Sequence, residues 1–182
     1  MTRSEKIRAS RKRNTARITQ WALRKIRKHQ PKTLLETSEL GLVCVHVGEG
    51  SFRTTYRIAQ TTLLIKFPIV ETHGDGIKNG GWDDDSDGKY HTRAEVRKIR
   101  ALSKFKCLRK HLPPVYYYNS ADGVLVTNYF KLAKDSDWAY NVAPLLSGVI
   151  KELTGVTLGD LFGDNVRIDA EKDRLILVEL GY

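Results

Sequence analysis

From residue 40 onward the apolar positions fall into short alternating runs. In GLVCVHVGEG, Val43, Val45 and Val47 alternate with Cys44 and His46 before the run ends in glycines, which predicts a strand entering a tight turn. FRTTYRIA and TTLLIKFP predict two more strands, so this region predicts an antiparallel meander. VYYY and VLVTNYF, joined by NSADG, predict a hairpin-like pair, and NVRID and RLILVEL, joined by AEKD, predict a closing hairpin. Elsewhere the period is helical. Ile18, Trp21, Ala22 and Ile26 predict a helix over about residues 15–29, stopped by Pro31. A less ordered start is expected before it, although Thr2 and Glu5 have capping-box spacing. Ala94, Val96, Ile99 and Leu102 predict a second helix, and NVAPLLSGVIKELTG a third, with Pro144 near its start. The Gly- and Asp-rich stretch VETHGDGIKNGGWDDDSDGKYH has no period and predicts a long exposed loop. The fold class is α+β: a five-stranded antiparallel sheet with one helix, then a smaller unit of one helix, a polar loop and a hairpin.

Charge changes this picture at one end. Residues 1–33 hold 12 of the 31 Lys and Arg and a single acid, Glu5, whereas the rest carries 19 basic and 20 acidic residues. The formal +10 of the chain therefore belongs to a basic arm, which can seek nucleic acid or another polyanion while the body does something else. The alternative is a solvated helix that docks its apolar face on the domain. Arg93, Arg97, Lys98, Arg100, Lys104 and Lys106 predict a second basic patch. No apolar run approaches the roughly 18 residues of a membrane helix, and no apolar stretch follows the basic start, so neither a membrane partner nor a secretory signal is expected. Cys44 and Cys107 have no metal-ligand or CxxC spacing and predict two free, buried thiols in a reducing cytoplasm. DDDSDG has the opening of a calcium loop, but the twelfth position would be Ala94, so it reads as a solvated acidic loop.

Several residues could carry chemistry. In VGEGSFRTTY, Gly48 and Gly50 let backbone approach a phosphate, Ser51 adds a hydroxyl and Phe52 can cap the turn; Arg53 stands where a third glycine would be expected. Any β-hairpin can carry two glycines, so the turn alone is weak evidence. Lys66 lies in the apolar run LLIKFP and is either on an exposed face or held inside for a purpose. Glu95 is the only acid of TRAEVRKIRAL and could pair with it; the alternative is a surface Glu beside Lys98 or Arg100. In GDLFGDNVRI, Asp160 could take a proton from a hydroxyl and Asn165 could hold a metal ion, although Asp and Asn are also the common loop residues. Glu179, in VELGY, places a carboxylate on the far strand of the closing hairpin.

Taken in order, these segments resemble a protein-kinase-like fold over residues 43–182, and in particular the small serine/threonine kinases of lytic bacteriophages. GEGSF resembles the glycine-rich loop, LLIKF the third-strand lysine motif and AEV the helix bearing its Glu partner. VLVTNYF resembles the strand entering the hinge, GDLFGDN the catalytic loop, and ELG the metal-binding position. The GDL…N form is also similar to aminoglycoside phosphotransferases and other small-molecule kinases. The resemblance implies an ATP-dependent phosphotransferase in the bacterial host cytoplasm, with ATP bound by Gly48, Glu49, Gly50, Ser51, Phe52, Lys66, Glu95, the gatekeeper Thr127, Asn128 and Tyr129. Asp160 and Lys66 would be catalytic, Asn165 and Glu179 would hold Mg²⁺, and a host protein would be the acceptor. Glu179 replaces the usual Asp and lies one methylene further out; Leu158 and Gly159 stand where many kinases have His and Arg. The implied layout is a basic arm at 1–33, an N-lobe at 37–130 and a strongly reduced C-lobe at 131–182. A catalytically inactive pseudokinase, or a nucleic-acid-binding module using the arm, remains the alternative.

Overall fold

The computed structural model describes residues 2–50, 52–69, 88–132, 138–158, 161, 165–178 and 180, with the side chain of residue 138 left aside. The sheet is built from β1 (Cys44–Glu49), β2 (Arg53–Ile58), β3 (Leu63–Pro68), β4 (Tyr117–Asn119) and β5 (Val124–Asn128). Its order is β1-β2-β3-β5-β4, antiparallel throughout, with a bulge in β1 between His46 and Gly48. A separate hairpin pairs β6 (Val166–Asp169) with β7 (Arg174–Leu177). The helices are α1 (Arg3–His29), α2 (Leu34–Glu39), α3 (Gly88–Leu102), α4 (Lys106–Arg109) and α5 (Trp138–Thr154).

Register divides the sheet into two faces. Directly paired residues of an antiparallel sheet share a face. His46, Tyr56, Ile65 and Val126 therefore lie on one side, and Val45, Arg57, Leu64 and Thr127 on the other. The first face carries Leu63, Ile65, Phe67, Val124 and Val126 and is covered by Ala22, Leu23 and Ile26 of α1. Thr19 of α1 accepts a hydrogen bond from the Thr62 amide at 3.3 Å, and Arg27 donates to the Tyr116 carbonyl at 3.0 Å. The opposite face meets α3. Ile99 and Leu102 of α3 join a second core with Ala143 and Ile150 of α5, Leu158, Leu161, Val166 and Leu177. That core joins the hairpin unit and α5 to α3.

The hairpin unit is also tied by backbone bonds. The Ala170 amide donates to the Lys131 carbonyl and the Leu177 amide to the His111 carbonyl, while His111 Nδ1 lies 2.8 Å from the Leu175 carbonyl. Residues after β5 and residues after α4 thus clamp the hairpin at both ends.

Three expectations need correction. The first helix starts at Arg3, not near residue 15, because the Thr2–Glu5 capping box forms in both directions and satisfies the first amides. Its buried stripe is Thr19, Ala22, Leu23 and Ile26, whereas Trp21 stays 40% exposed with Lys25 over its ring. The thiols are not buried: Cys44 is half-buried and Cys107 exposed. Helix α2 has no periodic signature, because it is a single capped turn and a half, with Thr33 accepting from the Glu36 amide and Glu36 from the Lys32 amide. The acidic loop falls outside the described residues up to Gly88. Among the described residues no helix is long and apolar enough to cross a membrane.

Helix α1 should therefore be part of the folded core and not a detachable arm. Ile26→Ala is expected to lower the unfolding free energy by about 2–5 kcal/mol in urea denaturation, whereas Ile7→Ala, on the exposed half of the same helix, should leave the midpoint unchanged.

Candidate functional site

Three charged side chains meet in the interior between β2, β3 and α3. Lys66, in the middle of β3, is 2% exposed, and Glu95, on the inner face of α3, is fully buried. Lys66 Nζ lies 3.0 Å from Glu95 Oε1 and 3.3 Å from Oε2. The Arg53 guanidinium, from the first residue of β2, also donates to Glu95 Oε2. Strand alternation explains the placement. Lys66 opposes Thr55 on one side and Leu125 on the other, so its side chain leaves the sheet on the α3 face, while Ile65 and Phe67 point to α1. On α3, Glu95 shares the inward face with His91, Thr92, Ile99 and Leu102.

An ion cluster removed from water is stable only if its charges are paired and hydrogen-bonded. Burial alone would raise the Glu95 carboxyl, but the charges of Arg53 and Lys66 outweigh it and hold Glu95 below the usual carboxylate range. Glu95 is thus an anion at neutral pH, fixing two cations that enter from two different strands.

The turn between β1 and β2 is fastened to the same helix. The Phe52 ring stacks on His91 with centroids 3.6 Å apart, the Phe52 carbonyl accepts from the Ile69 amide at 2.9 Å, and a Cβ on Gly88 would collide with that carbonyl. Phe52 therefore anchors the turn to α3 instead of standing over it. Gly48 and Gly50 are different. Neither has a positive φ, and a Cβ on either would meet no described atom within 4 Å. Their own backbone does not require glycine, so the lack of a side chain leaves space above the turn.

The hairpin reaches the cluster from below. The Val178 carbonyl lies 3.5 Å from Lys66 Nζ, and the Val178 amide donates to the Asn165 carbonyl at 2.9 Å. Asn165, Val178, Lys66 and Glu95 are thus linked by a continuous chain of hydrogen bonds, although Asn165 and Glu95 are 70 positions apart in sequence. Thr127 is buried on the same sheet face as Leu64. The Asn128 amide group donates to the Tyr129 carbonyl, and the Tyr129 amide donates to the Thr62 carbonyl. Arg57 lies over the Tyr129 ring at 4.4 Å. Val45 and Val47 are about half exposed at 52% and 50%, and Val45 extends the face of Leu64 and Thr127.

Of the residues singled out from sequence, Lys66 and Glu95 are brought together, Asn165 is linked to them through its backbone carbonyl and Val178, the turn residues Gly48, Glu49, Gly50 and Phe52 lie at the β1–β2 end, and Thr127 and Asn128 end β5 with Tyr129 just after it. Asp160, Ser51 and Glu179 fall outside the described residues. Two residues escape the sequence reading in these roles. Arg53 is the second partner of Glu95; its signal is a charged residue in place of an expected glycine. Arg57 is hidden because cation–aromatic stacking has no sequence period. Among the described residues no group of three His, Cys, Asp or Glu side chains could hold a metal ion.

No family model matches the chain, and no curated protein matches it significantly. Among solved structures, it is similar to PpkA-294 in its apo form, at 19% identity and a TM-score of 0.48 over 75% of this chain and 57% of that chain. It is also similar to APH(2″)-IIa in a ternary complex with streptomycin and ATP, at 17% identity and a TM-score of 0.37 over 72% of this chain and 41% of that chain. The chain thus spans less than two thirds of the length of either.

The cluster makes stability depend on pH. Because Glu95 is held below its unfolded value, its contribution is present above the ordinary carboxylate pKa and is lost as pH falls through the lower folded value. Glu95→Gln leaves Arg53 and Lys66 without their shared anion and should cost about 3–5 kcal/mol at pH 7. In urea titrations the gap between variant and wild type should narrow below roughly pH 4.5, where the carboxyl of the unfolded chain begins to protonate.

Proposed function

We propose that the protein is an ATP-dependent phosphotransferase with a protein-kinase-like arrangement, in which the β1–β2 turn, β3 and α3 form the nucleotide site. The observation that carries this reading is the buried Lys66–Glu95 pair, joining the central strand of a β1-β2-β3-β5-β4 sheet to the helix on its inner face. A lysine fixed by a carboxylate is oriented toward phosphate oxygens, which suits a reaction governed by positioning and charge neutralisation. The space above Gly48 and Gly50 supports close approach of backbone to those phosphates. Val45, Leu64 and Thr127 share one sheet face and offer a surface for the base, with Asn128 and Tyr129 at its edge.

In this reading Asp160 accepts the hydroxyl proton of the acceptor while its oxygen attacks the γ-phosphorus. The bond from γ-phosphorus to the bridging oxygen breaks, and ADP leaves. Asn165 and Glu179 are the oxygen donors assigned to Mg²⁺, a hard cation that prefers such ligands. The Asn165–Val178 backbone bond supports that assignment by bringing Asn165 beside the residue that precedes Glu179 in the chain. Mg²⁺ would neutralise phosphate charge. The resemblance of the motifs to phage serine/threonine kinases makes a protein hydroxyl the acceptor we propose.

A second reading is a pseudokinase that binds nucleotide without turnover; Glu179 in place of Asp favours it. Two measurements separate the readings. Radiolabelled ATP should transfer phosphate to a generic protein acceptor, and Asp160→Ala should reduce that at least about a hundredfold. Equal labelling by both forms would remove the role given to Asp160. In thermal-shift titration, ATP with Mg²⁺ should raise the melting temperature of wild type but not of Lys66→Met; a shift without any transfer supports the pseudokinase, and no shift at all counts against both.

A further inference from the structure

The N-terminal half of α1 takes no part in the core. All seven cations between Arg3 and Arg17 are exposed, and among the described residues none is held in an ion pair. The helix runs for 27 residues, or about 40 Å, so this half supplies roughly 20 Å of helix beyond the packed stripe. At about 100° per residue, the seven cations sort into two rows. Arg3, Lys6, Arg13 and Arg17 lie on one flank; Arg8, Arg11 and Lys12 lie on the other, roughly opposite. Between the rows, one face shows Ile7 and Asn14. The opposite face shows Glu5, Ala9 and Ala16, so the single acid is turned away from the first face.

We propose that this half-helix is a binding element for double-stranded DNA, lying in the major groove with one row of cations toward each phosphate backbone. The B-form major groove is about 12 Å wide and admits a helix of about 10–12 Å diameter. A helix charged on both flanks matches a groove with phosphates on both walls. The narrow major groove of A-form RNA does not admit it. An acidic membrane surface fits poorly, because an interfacial helix needs a broad apolar face and residues 3–17 offer Ile7 as their one large apolar side chain. Ile7 and Asn14 would face base edges, and the uniform charge supplies affinity without strong sequence preference. The packed half of α1 holds the element rigid: Ala22, Leu23 and Ile26 fix the helix on the sheet. Because those side chains belong to the core, removal of all of residues 1–33 would damage the fold, and charge substitution is the cleaner test.

The test uses the full chain and fluorescence anisotropy with a labelled 20-base-pair DNA duplex. Log affinity should fall with log salt with a slope of about −4 to −6. Glutamine substitution of either row, Arg3/Lys6/Arg13/Arg17 or Arg8/Arg11/Lys12, should weaken binding at least about tenfold and flatten the slope by about one for each phosphate-binding side chain neutralised. Arg8→Lys with Arg11→Lys should retain most of the affinity, since phosphate binding needs charge more than geometry. Unchanged thermal unfolding of these variants would show that the body is intact. The proposal is overturned if the duplex does not bind at low salt, or if both rows can be neutralised without weakening it. It is equally overturned if duplex RNA of the same sequence, anionic phospholipid vesicles or polyglutamate binds as tightly as the DNA.

Discussion

The carboxylate of Glu95 is the constraint on which the site depends. It is buried completely and accepts from both Arg53 and Lys66. Two cations in such a place would repel each other and would lose their hydration without return; one anion shared between them makes both tolerable. Because Arg53 begins β2, Lys66 lies in β3 and Glu95 belongs to α3, the same interaction fixes the helix against the sheet and the glycine-bearing turn against the helix. The stacking of Phe52 on His91 adds an apolar clamp next to the ionic one.

From that point the rest of the architecture follows in two directions. On the far side of the sheet, α1 covers Leu63, Ile65 and Phe67 with its own apolar stripe, so β3 is buried on that face and its single lysine leaves the sheet on the other, where Glu95 receives it. On the near side, α3 turns Ile99 and Leu102 toward α5 and the hairpin. The hairpin then delivers the Val178 carbonyl to Lys66 and holds Asn165 one hydrogen bond away. Lys66 and Glu95 thus sit where β2, β3 and α3 converge, with the Val178 carbonyl of the hairpin beside them.

Much of this is legible in the sequence, and for physical reasons. Strand alternation and turn residues mark all seven strands of the described residues, because period-two patterning and Gly/Asn/Asp turns are local signals. Lys66 and Glu95 are recognisable as a pair because each is anomalous in its own segment: a lysine in an apolar run, and a lone acid in a basic helix. Other features are hidden. The inner stripe of α1 includes Thr19 and excludes Trp21, and hydrophobicity alone ranks those two the other way. Arg53 stands out as a departure from glycine but not as a partner of Glu95, since an interaction spanning 42 positions has no local signature. The exposure of Val45 and Val47 also runs against their composition; they line an open edge of the sheet, and only the register reveals which face Val45 occupies.

The central claim is that Lys66, held by Glu95, faces the phosphates of a bound nucleotide. An acyl phosphate of ATP transfers its acyl group to a lysine lying beside the phosphate chain, and peptide mass spectrometry then identifies the modified residue. The account predicts acylation at Lys66, suppressed by excess ATP and strongly reduced in Glu95→Gln. Acylation confined to surface lysines such as Lys6, Lys12 or Lys28, or labelling of Lys66 that ATP fails to suppress, would contradict it.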